Sequence, residues 1–208
     1  MNWIVFAIFA YLALALENGL DQMLSVGVVT PSFVLIVAVY VAMTANRSAV
    51  PWALLILGLL EDLTHPYHVG HGLDLPVVGP YALGYLAAAA ICLQLRGMMA
   101  TGSPLSVALL VIPAGILMQV VAVAMVTLRR LPLLQSDPVT GWIAADELVH
   151  RFGVLGYTAA LALPVGFVLI RTAPLWRFAH AATARSRARR LGVGGGAVSR
   201  RDPRGGAL

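Results

Sequence analysis

The sequence predicts an all-α polytopic membrane protein with about six transmembrane helices. Three observations lead there. Of 208 residues, 60% are hydrophobic and 11% charged, with a mean hydropathy of +0.86, which excludes an ordinary soluble globular domain. The apolar residues fall into successive runs separated by Pro, Gly, Asn and Arg, the punctuation of helix ends. The charges are segregated. All fourteen basic residues are arginine, and eight of them lie between Arg177 and Arg204 with Asp202 as the only acid there.

The first run, Trp3 to Leu16, is apolar for only about 21 Å of helix, less than the ~30 Å hydrocarbon core. Continuation to Leu24 carries Glu17 and Asp21 toward one interface. Met-Asn-Trp supplies no basic flank, so this segment reads as a retained helix and not a cleaved signal. In the second run, Thr30 is expected as N-cap and Pro31 as first helical residue, with apolar sequence from Phe33 to Ala45 and a stop at Asn46-Arg47-Ser48. Pro51 opens a third helix, which carries Trp52 to Leu60 into Glu61 and Asp62 and breaks at His65-Pro66. Gly79-Pro80 starts the fourth, which ends at Arg96. Its Gly84 and Ala88 form a small-xxx-small step for close helix approach.

Ser103-Pro104 opens the fifth run, apolar to Leu128, kinked at Pro113 and Gly115, with Gln119 as its one strongly polar residue. A connection turns at Ser136-Asp137-Pro138, and Thr140 caps a short interfacial helix before the sixth run, Phe152 to Ile170. This gives a helical membrane domain at 1–172 and a basic, disordered cytoplasmic tail at 173–208. The single Cys92 lies inside an apolar run and reads as a small core residue.

Arginine bias sets the orientation, because cytoplasmic connections collect Lys and Arg. With both termini inside, Arg47, Arg96, Arg171 and the tail are cytoplasmic, eleven arginines against one acid. The outer side then holds three arginines and eight acids, Glu61 and Asp62 among them. Counted from Arg47, these two lie several residues below the outer surface. There a carboxylate costs roughly 2.5 to 3.5 kcal/mol unless it is paired, protonated or facing water. The alternative is a short or tilted third helix that leaves them at the interface. Arg129, Arg130 and Arg151 are expected on the same side as partners.

Asp62, His65, His68, His71 and Asp74 recur every three residues. Imidazole and carboxylate ligate zinc, nickel or copper, so His65, His68, His71 and Asp74 form a candidate metal set. The competing reading is a polar surface loop, since Pro66, Gly70 and Gly72 oppose a regular helix. No nucleophile elbow, His-Glu-x-x-His or phosphate loop with the Walker lysine occurs, and Asp62 lacks a second carboxylate from another helix for aspartyl proteolysis. The tail residues Arg185, Arg187, Arg189 and Arg190 are expected to bind anionic lipid headgroups in preference to nucleic acid. Tyr81 and Tyr85 read as packing or interfacial aromatics.

Thr30-Pro-Ser-Phe-Val-Leu-Ile-Val-Ala-Val-Tyr-Val-Ala, Leu57-Gly-Leu-Leu-Glu-Asp-Leu and Gly79-Pro-Tyr-Ala-Leu-Gly-Tyr-Leu together resemble the rod shape-determining protein MreD family. The most specific part is Gly58 to Leu63, in its order and spacing relative to Pro31 and Tyr85. The likeness covers about sixty residues and does not extend past Arg96. Ser32 departs from the acid often found after the proline, and the Thr64–Val78 loop and the basic tail are longer than usual. The resemblance implies a non-enzymatic scaffold of the cell-wall elongation complex, without cofactor, partnering an MreC-like protein and other membrane proteins of that complex. It also implies a helical arrangement similar to the substrate-binding subunits of energy-coupling-factor transporters. Gly58, Asp62 and Tyr85 match by position and are then expected as structural or partner-contacting residues, with Glu61 included only as the neighbour of Asp62. The alternative function is a transporter-type binding subunit in which Glu61, Asp62 and the histidine loop admit a vitamin or metal ion.

Overall fold

Six α-helices follow one another in a computed structural model that describes residues 2–24, 29–64, 67–69, 73–75, 78–99, 102–129 and 144–176. They are α1 (Trp3–Leu24), α2 (Phe33–Thr44), α3 (Val50–Thr64), α4 (Pro80–Leu95), α5 (Pro104–Arg129) and α6 (Ala144–Arg171). Two short strands, β1 (Tyr67–Val69) and β2 (Leu73–Leu75), pair antiparallel between α3 and α4. A 3-10 turn, Ala173–Trp176, follows α6. α1, α5 and α6 are long and apolar enough to cross a membrane, so the protein is a membrane protein with an all-helical core.

The core is a helix, α2. Every residue from Phe33 to Met43 is buried, and α2 packs against all five other helices. Such a helix has no polar face to show, and its sequence, Phe-Val-Leu-Ile-Val-Ala-Val-Tyr-Val-Ala-Met-Thr, has none. At twelve residues it is about 18 Å long, so both of its ends lie within the protein and their unpaired backbone groups need partners there. Other helices supply them. At the N-terminal end the Glu17 carboxylate accepts from the Val34 amide (3.2 Å) and the Ser32 hydroxyl (3.4 Å), while Ser32 Oγ accepts from the Leu35 amide (3.2 Å). At the C-terminal end, Arg96 donates to the carbonyls of Ala42 (3.3 Å) and Ala45 (2.9 Å). An acid at the positive end of the helix dipole and a base at the negative end match the field of α2.

Around α2, the sequence α3, α4, α5, α6 packs each helix on the next, and α1 packs on α2 and on the 3-10 turn. Two glycines permit close approaches to the backbone of a neighbouring helix. A Cβ on Gly58 would lie 2.6 Å from Ala82 Cα, and one on Gly84 would lie 2.8 Å from the Met118 carbonyl oxygen. The Gly84–Ala88 step therefore does bring a neighbour close, and that neighbour is α5. Trp176 closes the end of the bundle beneath α2. It is fully buried, with its ring 4.8 Å from Phe9 and 5.5 Å from Tyr40, and its carbonyl accepts from the Asn2 amide (3.2 Å).

Several boundaries differ from the sequence reading. The N-cap of α2 is Ser32, not Thr30, and the helix starts at Phe33 and not at Pro31. The Ser32 amide donates to the Thr158 hydroxyl (3.0 Å), and this tertiary bond holds Ser32 in extended backbone just outside the helix. No separate interfacial helix precedes the sixth run in the described residues: Ala144–Arg171 is one helix, because Ala-Ala-Asp-Glu-Leu-Val-His-Arg sustains helix without being apolar. The turn Ala173–Trp176 packs on α1 and α6. The tail arginines Arg185, Arg187, Arg189 and Arg190 lie outside the described residues. Cys92 is a buried, unbridged core residue.

Candidate functional site

The end of α3 brings Glu61 and Asp62 into the interior of the bundle: Glu61 is 4% exposed and Asp62 0%. They do different things. Asp62 turns to α4. Its Oδ2 accepts from the amides of Gly79 (2.8 Å) and Ala82 (3.1 Å), and its Oδ1 from the amide of Tyr81 (2.9 Å). These are the donors that the first turn of a helix leaves unpaired. Pro80, at the first position of α4, has no N–H to satisfy, so one carboxylate completes the helix end.

The local sequence makes this possible. Gly79 holds φ at 130°, a left-handed value suited to glycine, and so aims its amide at Asp62. Gly58 stands one helical turn before Asp62, and its missing Cβ lets the Tyr81–Ala82 backbone lie directly on α3. Gly58 and Asp62 thus form one device, a seat and a cap for the start of α4.

Glu61 turns to the centre and accepts a hydrogen bond from the Tyr85 hydroxyl, which is itself completely buried. Ser32 also reaches Tyr85, and Glu61 feels the charges of Glu17 and Arg151. On the far side of the cluster, the buried Arg151 guanidinium donates to Gln119 Oε1 (2.6 Å) and to the Tyr81 hydroxyl (3.1 Å), and lies 5.7 Å from the Tyr81 ring centroid. Thr158 takes the Ser32 amide and donates to the Val154 carbonyl (2.8 Å). Every helix contributes: Glu17 from α1, Ser32 at the head of α2, Glu61 and Asp62 from α3, Tyr81 and Tyr85 from α4, Gln119 from α5, Arg151 and Thr158 from α6.

The cluster is a framework of hydrogen bonds in a low-dielectric setting, where an orphaned polar group is expensive. Of the sequence candidates, Gly58, Glu61, Asp62 and Tyr85 come together here. Of the expected arginine partners, Arg151 joins them. Arg130 lies outside the described residues. Tyr81 and Tyr85 are hydrogen-bonding members, not merely packing aromatics. Sequence reasoning missed Thr158 altogether, for nothing distinguishes it from other helix threonines, and missed that Glu17 caps another helix. Gln119 carried a signal, as the lone amide in a long apolar run.

The candidate metal residues divide. His65 and His71 lie outside the described residues. His68 and Asp74 are register partners in the antiparallel β1–β2 pair, so at these two positions the spacing by three belongs to strands and not to a helical turn. Among the described residues no three His, Cys, Asp or Glu side chains gather to hold a metal.

Set against known proteins, the chain matches no family model, no curated protein and no solved structure.

Proposed function

We propose that the protein is a non-enzymatic membrane scaffold of the bacterial cell-wall elongation machinery, similar to the MreD family. All six helices lie in the plasma membrane, with both termini cytoplasmic and the Glu61–Asp62 level toward the outer face. Its partners are an MreC-like protein and other membrane proteins of elongation. The observation that carries this reading is that Gly58, Asp62 and Tyr85, the residues that bear the resemblance, jointly fix α3 to α4. In a scaffold, the invariant requirement is a rigid presentation of helix faces, and these residues provide that rigidity. The exposed stripe Leu105, Leu109, Ile112, Ile116 and Val120 on α5 suits lipid or another membrane helix.

The test is a deletion strain of a rod-shaped host together with crosslinked pull-down. Loss of rod shape, restored by the intact gene but not by Asp62→Ala, and capture of an MreC-like protein support the scaffold. Normal shape of the deletion strain refutes it.

A binding-subunit function is the second reading, favoured by the convergence of polar groups from six helices at one level. A thermal-shift screen of purified protein against vitamins and divalent ions separates the two. A ligand at 100 times its dissociation constant adds about 2.7 kcal/mol to stability, an increment the scaffold reading does not predict.

A further inference from the structure

Between α1 and α6 an apolar cleft of about 240 Å³ opens at the side of the bundle, with α2 as its floor. Phe9, Leu12 and Leu16 form one wall, Val165 and Val168 the other, and Phe33 lies on the floor. The cleft exists because α1 and α6 both pack on α2 and leave a gap between their outer halves. Left empty, such a gap forfeits the dispersion contacts of its lining.

We infer that this cleft holds one acyl chain of an anionic phospholipid, whose headgroup is bound by Arg171. Size argues for a chain over a helix. A transmembrane helix is 10–12 Å across, so three turns occupy on the order of 1,300 Å³, about twice the roughly 620 Å³ of open space in and around the cleft. The wall from Phe9 to Leu16 runs about 10 Å along α1, the scale of half an acyl chain. A docked helix also wants glycine or a row of small residues at its seat, whereas this lining is Phe, Leu and Val with one Ala.

Charge gives the headgroup. The lining on α6 ends at Leu169, two residues before the exposed Arg171. Val168 and Arg171 are three apart and share a helix face. At the same end, Trp3 is exposed at the start of α1, an aromatic suited to the headgroup level. A chain lying in the cleft therefore has its polar end beside a guanidinium, which pairs well with phosphate.

The test uses the full chain in nanodiscs of equal phosphatidylglycerol and phosphatidylcholine, released into native mass spectrometry. One retained phospholipid is expected, with phosphatidylglycerol favoured about fivefold, the factor for one surface arginine. Val168→Trp fills the cleft from an exposed position and should abolish retention. Arg171→Gln should keep a lipid and lower the preference about fivefold, on top of whatever the tail arginines contribute. Leu12→Trp on the opposite wall repeats the first experiment should Val168→Trp fold poorly. Full retention in a folded Trp variant overturns the inference, as does an unchanged preference in Arg171→Gln. A two-chain species that either Trp variant dissociates would also overturn it, placing a second copy in the cleft.

Discussion

The Asp62 carboxylate and the Gly79 amide, seventeen positions apart, meet at 2.8 Å and fasten the end of one helix to the beginning of the next. Because Asp62 receives two further amides, its loss orphans three donors together, one buried and two part-buried. Replacing a single capping side chain costs about 0.5–2 kcal/mol, and each unsatisfied buried group about 1–3. Asp62→Ala should therefore destabilise by roughly 3 kcal/mol or more. Asp62→Asn, with one acceptor oxygen left, should fall between. Unfolding in mild detergent titrated with denaturing detergent measures both, and a wild-type midpoint for Asp62→Ala would show that water or another group replaces the cap.

Gly58→Ala should act through the same device. Its Cβ would meet Ala82 Cα at 2.6 Å, and helix backbone cannot swing aside as a flexible side chain can. Overpacking of this kind costs about 1–3 kcal/mol, and it lifts the Tyr81 and Ala82 amides off Asp62. The double variant Gly58→Ala/Asp62→Ala should then be clearly less destabilised than the sum of the singles. Additive losses in a double-mutant cycle would mean that seat and cap work separately.

How much of this was legible follows from what kind of signal each feature leaves. Pro51, Pro80 and Pro104 mark helix starts within a residue or two, since a proline excludes most other helical positions. The importance of Glu61 and Asp62 was visible as charge inside an apolar run. Their partners were not, because Asp62 binds main-chain amides, which have no residue identity to recognise. Ser32 displaced Thr30 as cap because of Thr158, 126 residues away, and no local pattern encodes such a bond. Central burial of α2 was half legible: its lack of a polar face was plain, but an apolar helix facing lipid reads the same as one facing protein.

The two caps of α2 stand at opposite ends of an 18 Å helix and should behave independently, unlike the Gly58–Asp62 pair. Glu17→Gln keeps an acceptor for the Val34 amide but removes charge from the helix N-terminus. Arg96→Met strips both donors from the Ala42 and Ala45 carbonyls. Charge at a helix end contributes about 0.3–2 kcal/mol in partly buried sites, so Glu17→Gln should lie within that range. Arg96→Met should exceed it by the lost hydrogen bonds. The double variant should equal the sum to within about 0.5 kcal/mol, and strong coupling in the same detergent assay would show that α2 shifts as a rigid body when either cap fails.

Trp176→Ala tests whether the bundle includes the turn after α6. The indole is fully buried against Phe9 and Tyr40, and truncating such a residue costs about 3–5 kcal/mol. Trp52, 65% exposed, is the control, and Trp52→Ala should change stability little. Since α1 packs on α2 and on this turn, the loss should fall first on α1, as faster amide exchange along Trp3–Leu16 than in α5. Equal effects of the two tryptophan variants, or exchange that rises uniformly across the helices, would remove Trp176 as the fastening of α1 and leave the α1–α2 contact alone to hold it.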